Sequence, residues 1–221
     1  MSIIYFSNVR CSFPNLTAPY VSRKFPNAAP NFTVDIVDID PSDPKLREFM
    51  QTYAQLAQGA WGTNANTVMQ MIQNDKRSRC FGMGPEKVNE ETFKPLEGYG
   101  QGVWINCKNK NQPQIIRPDG AVASNQMEAM ELARKIYGGC YVNIAVKPWL
   151  RLTNKGVSCE VIAIQFAKDG EAFGAGTVDV APMFGAVSAA PMGANPFAPV
   201  APAPAAMPAA PFGTPGLPSF M

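Results

Sequence analysis

Residues 136–173 read IYGGCYVNIAVKPWLRLTNKGVSCEVIAIQFAKDGEAF. The stretch predicts two long strands joined by a tight turn. Side chains of successive strand residues point to opposite faces. Between Tyr141 and Leu152, one face carries Val142, Ile144, Val146, Pro148, Leu150 and Leu152, a core set. The other carries Tyr141, Asn143, Ala145, Lys147, Trp149 and Arg151. Rings and cations set side by side gain little from water, but they suit a surface that stacks bases and neutralises phosphates. The turn Thr153-Asn154-Lys155-Gly156 places a glycine where a hairpin wants positive φ.

A second strand, Gly102 to Lys108, repeats the pattern. Trp104, Asn106 and Lys108 share one face, and Val103, Ile105 and Cys107 the other. Asn109 to Pro113 then turns the chain, and Gln114 to Arg117 is expected to return as a short hairpin partner. Net charge is only +2, so the distribution matters more than the total. From Gly102 to Ser158 the cations Lys108, Lys110, Arg117, Arg134, Lys135, Lys147, Arg151 and Lys155 face only Asp119, Glu128 and Glu131. Positive charge gathers where the strands place aromatics.

Outward from this centre, Ile3 to Cys11 alternates as a first strand, which SFPNL (12–16) is expected to end. A long loop follows to Pro30 and holds Arg23 and Lys24. Phe32, Val34 and Ile36 mark a strand, and Asp40-Pro41-Ser42-Asp43-Pro44 a turn and helix start. Leu46, Phe49, Tyr53, Leu56 and Ala60 fall on one helical face, and a shorter helix carries Val68, Met69 and Ile72. Residues 74–79, with Arg77 and Arg79, form a basic loop. Such a run is ordinarily a solvated turn; a nucleic-acid contact is the alternative. Met83 to Gln101 reads as loop, and Asn125 to Tyr137 as a helix stopped by Gly138-Gly139.

The composition excludes several classes. Histidine is absent and the five cysteines form no CxxC pair, against structural zinc and His-based catalysis. No P-loop, GxSxG or HExxH occurs. Asp35, Asp38 and Asp40 alternate and could hold a metal ion, but they run into a turn where solvated acids are common. We therefore expect no enzyme, no cofactor and no metal. There is no apolar run of about 18 residues, so no membrane span is expected, and the N-terminus lacks the features of a signal peptide.

The expected domains are 1–179, folded, and 180–221, a tail. After Asp179 no charged side chain occurs, and Ala, Pro, Gly and Met dominate. That composition predicts a disordered, semi-extended tail. Phenylalanines recur in it, among them Phe212 and Phe220 before the final Met221. They are either incidental to a linker or short apolar anchors that partners capture.

Three stretches carry a resemblance: FSNVRCSFPNL (6–16), YGQGVWINCKNKNQPQII (99–116), and GGCYVNIAVKPWL (138–150) with NKGVSCEVIAIQFAKDGEAFG (154–174). Over roughly Ile3 to Gly176 the chain resembles bacteriophage single-stranded DNA-binding proteins built on an elaborated OB-fold. It departs in two places. Members often carry an Arg-Asp-Gly motif where residues 77–86 here read RSRCFGMGPE, and many replication proteins of this kind end in an acidic tail, which is absent here.

The resemblance implies a mainly β fold with inserted helices (α+β), an OB-fold-like Greek-key barrel. It implies sequence-independent binding and protection of single-stranded DNA, or RNA, during phage DNA replication and recombination in the host cell cytoplasm. The residues expected to bind nucleic acid are Trp104, Asn106, Lys108, Lys110, Tyr141, Lys147, Trp149, Arg151 and Lys155, with Arg23, Lys24, Arg77 and Arg79 from the loops. Phe212, Phe220 and Met221 would engage phage or host replication proteins. Each aromatic has a blander reading as a ring covered by a loop or helix, since tryptophan is highly buried on average. The alternative function is a phage structural or adaptor protein using the barrel as a docking module.

Overall fold

The computed structural model describes residues 2–22, 26–89 and 91–174. The expected tail from 180 onward lies outside the described residues. Seven strands and three α-helices follow in the order β1 (Ile4–Tyr20), β2 (Asn31–Ile39), α1 (Pro44–Trp61), α2 (Ala65–Asn74), β3 (Phe81–Met83), β4 (Val103–Asn109), β5 (Gln114–Ile116), α3 (Gln126–Arg134), β6 (Tyr141–Arg151) and β7 (Gly156–Lys168).

Five strands close a barrel. β1 pairs with β2 and with β6, β2 with β4, and β6 with β7, all antiparallel. The seam is a parallel contact of β4 with β7 at Cys107↔Cys159. A closed five-stranded Greek-key barrel of this order is the OB-fold. Alternation along β6 is as expected from Val142 to Pro148: Val142, Ile144, Val146 and Pro148 are buried and Trp149 is exposed. It fails at the end of the expected core set, where Leu150 is only half-buried and Leu152, past the last residue of β6 in the hairpin turn, is exposed. The inward residues, with Ile4, Phe6, Val34, Ile36 and Ile105, form one core with Phe49 and Tyr53 of α1. All five cysteines are buried free thiols.

Helix α1 starts where Asp43 accepts a hydrogen bond from Lys45 N at 2.7 Å, and stops at Gly62, φ 51°. Asn125 caps α3 through Glu128 N. Capping side chains satisfy backbone donors that a helix start leaves free.

Three expectations about the strands need correction. SFPNL does not end β1. The strand runs on to Tyr20 because register shifts at residues 6–9 and 12–15, with positive φ at Asn8 and Phe13, bend it around the barrel without breaking it. Residues 114–116 do not return against β4; they lie parallel to β7 at Ala163–Gln165. In the β6–β7 turn the positive φ falls on Lys155 (42°), not on Gly156. Gly156 instead leaves room for the Arg151 guanidinium, which a β-carbon there would meet.

Candidate nucleic-acid interface

A groove of about 670 Å³ runs over the ends of β4, β6 and β7. Its cations come from three places: Lys108 and Lys110 at the end of β4, Lys147 and Arg151 on β6, and Arg77 and Arg79 on the loop after α2. Trp149, 41% exposed, is the aromatic of the groove. Among the described residues that line it, Glu160 is the one carboxylate. Eight of the residues expected from sequence to bind nucleic acid thus line one surface, Asn106 among them.

The hairpin register sets the floor. Trp149 lies opposite Ser158, and Lys147 opposite Glu160, with Lys147 Nζ 3.7 Å from the carboxylate. Such a half-exposed pair contributes little to stability. Beneath it, the Tyr53 hydroxyl of α1 donates to Ser158 O at 2.6 Å. Burial pushes the Tyr53 pKa up, so the phenol remains a donor. Asn109 Nδ2 donates to Val161 O at 2.8 Å.

One wall is the 75–79 loop. Asp75 accepts from Arg77 N at 3.0 Å and from Ser78 Oγ at 2.6 Å, and the Ser78 hydrogen bond holds its carboxyl below the usual range. The loop is fastened across the hairpin by Val157 N donating to Ser78 O at 2.8 Å and by Arg151 Nη2 donating to Arg77 O at 3.0 Å. Two long-range hydrogen bonds, one to Arg77 O and one to Ser78 O, therefore hold the loop against the hairpin. Arg79 is largely buried and pairs with Glu86 through Nη1 and Nη2 of its guanidinium. That hydrogen bond lowers the Glu86 pKa. Among the described residues, Arg77, Lys108, Lys110 and Arg151 have no carboxylate partner within ion-pair distance and are free to meet an anion.

Other expected residues fall elsewhere. Trp104 does not face out: it is 7% exposed and packs with Val37 and Tyr99. Its indole N–H donates to Met83 O at 3.0 Å, and Lys87 Nζ lies 4.0 Å from the ring centre. The 83–102 segment folds over this part of β4, and strand parity alone cannot show such a cover. Tyr141 lies at the far end of β6 from Trp149, eight residues or about 26 Å away at strand spacing. Lys168 Nζ stands 4.4 Å and the Arg10 guanidinium 5.7 Å from its ring. Lys155 sits at the hairpin tip and lines a separate pocket with Val68, Met71 and Ile72. Arg23, Lys24, Phe212, Phe220 and Met221 lie outside the described residues.

Asp35, Asp38 and Asp40, the candidate metal ligands in the sequence, each have another partner. Buried Asp35 accepts from Tyr99 Oη at 2.6 Å and from Asn106 Nδ2, with Lys87 Nζ at 3.4 Å. Asp38 accepts from Gly102 N at 3.0 Å, and Asp40 from Ser42 N at 2.8 Å. Among the described residues no group of three His, Cys, Asp or Glu is placed to hold a metal. Cys80 in the groove wall has its thiol pushed up to about 12 by burial, which makes it a poor nucleophile.

Sequence reasoning missed Ser158 and Glu160 as groove residues. Counting back through the hairpin turn would have set them opposite Trp149 and Lys147.

The barrel with this groove defines an OB-fold protein with a cationic channel and one open aromatic. The chain belongs to the family of the Enterobacter phage Enc34 ssDNA-binding protein, whose family model matches residues 1–190. Protein p50 of Acyrthosiphon pisum secondary endosymbiont phage 1 is 25% identical over 177 residues, 79% of this chain and 88% of that protein. The single-stranded DNA-binding protein from bacteriophage Enc34, solved in complex with ssDNA, superposes with a TM-score of 0.58 at 20% identity, over 78% of this chain and 89% of that one. The same phage protein solved alone gives 0.55 at 22% identity, over 82% and 89%. These likenesses establish the shared barrel.

Proposed function

We propose that this protein binds single-stranded DNA without strong sequence preference, and protects it during phage DNA replication and recombination in the infected host cell. The observation that carries this reading is the gathering of Arg77, Lys108, Lys110, Lys147 and Arg151 around exposed Trp149 in one groove of an OB-fold. Family membership and a relative solved with ssDNA support it.

The mechanism follows from the side chains. A base stacks on Trp149, a contact worth about 1–3 kcal/mol and tolerant of base identity. The lysine and arginine side chains neutralise successive phosphates and release counterions, which makes affinity fall steeply with salt. Tyr53 and the 75–79 loop act indirectly, by fixing the floor and one wall. The C-terminal phenylalanines, Phe212 and Phe220, are proposed as anchors for replication proteins.

The test is a titration of oligothymidylate, an RNA oligomer and a duplex at two salt concentrations, following tryptophan fluorescence. Tight, salt-sensitive binding of the single strand with quenching of Trp149 is expected. If Trp149→Ala and Lys147→Ala both bind as tightly as the parent at low salt, the groove is not the site.

A further inference from the structure

Tyr5 is half exposed on β1, on the outer face of the sheet. Its register partner on β6 is Ala145, and the partner of Ala145 on β7 is Ala163. One row across three strands therefore reads Tyr-Ala-Ala. An aromatic on a sheet ordinarily gains its stability from large neighbours on the same face, and Tyr5 has only methyl groups beside it in this row. Among the described residues no other ring stacks on it and no cation lies over it. Ile3, two residues before it, is 56% exposed.

The row is continuous with the groove. Along the outer face of β6 the order is Trp149, Lys147, Ala145, so the Tyr5 row lies four residues from Trp149, about 13 Å at strand spacing. Lys147 stands between the two rings. A strand leaving Trp149 and passing its phosphate over Lys147 arrives at a flat place: a ring, then two small side chains that let a base or sugar approach the sheet closely.

We propose that this row is a second stacking subsite for single-stranded nucleic acid, in which a nucleobase lies on Tyr5 over Ala145 and Ala163. The inference rests on the groove reading and extends its path out along β6. Tyr5 supplies the stacking face, and the alanines supply clearance.

The test uses the full chain with thymidine oligomers of two lengths. Tyr5→Ala should weaken an oligomer of about sixteen nucleotides by about tenfold and leave one of about four within about twofold, these lengths spanning what an OB-fold covers. Tyr5→Phe should bind both lengths as the parent does. Ala163→Glu sets a carboxylate on the shelf without touching the ring, and should reproduce the length-dependent loss. Parent-like binding of the longer oligomer by Tyr5→Ala overturns the proposal, as does an equal loss at both lengths. Trp149→Ala separates this from the groove reading: it should weaken both lengths. If Trp149→Ala changes neither, the groove reading fails and the shelf that extends it fails too; if Trp149→Ala weakens both while Tyr5→Ala leaves the longer unchanged, the shelf alone fails.

Discussion

The guanidinium of Arg151 occupies the space where a side chain on Gly156 would begin: a β-carbon added at Gly156 would lie 2.7 Å from Arg151 Cζ. The two residues face each other as the last pair of the β6–β7 hairpin. The same guanidinium donates to Arg77 O at 3.0 Å. Gly156 thus clears room for the side chain that ties the hairpin to the groove wall.

Gly156→Ala should therefore separate binding from stability. The atom it meets is the end of a flexible side chain, so Arg151 swings aside at little cost to the fold. The thermal midpoint should stay close to that of the parent, while affinity for oligothymidylate falls several-fold, toward that of Arg151→Ala. Thermal melts and titrations on the same preparations check this.

Trp104 and Trp149 should behave oppositely. Trp104 is buried and hydrogen-bonded to Met83 O, so Trp104→Ala should lower stability by about 3–5 kcal/mol. Trp149→Ala removes a half-exposed ring, leaves the denaturation midpoint nearly unchanged, and costs about 1–3 kcal/mol of single-strand affinity. Urea unfolding beside fluorescence titration distinguishes them; a large stability loss for Trp149→Ala would show that its ring is structural.

Glu160 sets a negative charge in the groove and holds Lys147 at 3.7 Å. Glu160→Gln releases that lysine and removes the groove's carboxylate. Affinity should rise at low salt, and the gain should shrink as salt screens it. Lys147→Ala should do the reverse and lower the slope of log affinity against log salt by about 0.7, the value for one phosphate contact on a single strand. Measuring both slopes tests the pair.

Glu86 predicts a pH dependence. Its pKa is lowered from an ordinary value of 4.5 chiefly by the hydrogen bond from Arg79. A carboxylate depressed in the folded state binds fewer protons than in the unfolded chain, so its contribution is present above about pH 4.5 and is lost as pH falls through the depressed value. Acid should destabilise the parent in that window, and Glu86→Gln should flatten the curve there. Because Arg79 borders the groove, single-strand binding by Glu86→Gln should also change.

The alternation of β6 was legible because parity needs only one buried face, and Val142 through Pro148 supply it without interruption. The same rule misplaced Trp104, since both faces of β4 are covered there, one of them by a distant segment whose Gly- and Pro-rich composition signals only loop. β5 went to β7 rather than β4 for a related cause: a three-residue strand carries too little pattern to specify its partner. The basic loop at 74–79 looked like a solvated turn because its charges are local. What draws it to the groove are one backbone bond from Val157 and one side-chain bond from Arg151, each more than seventy residues away. No composition signal marks such bonds.

The parallel seam between β4 and β7 has a consequence for timing. The groove draws on residues from Asn31 to Glu160, and the seam that holds its two sides together joins Cys107 to Cys159. A nascent chain still lacking β7 owns all six of the groove's named cations but no channel to arrange them in. Translation must run nearly to Lys168 before the groove exists, so, on the proposed function, neither an early-terminated product nor an amino-terminal proteolytic fragment should compete with the finished protein for single-stranded DNA.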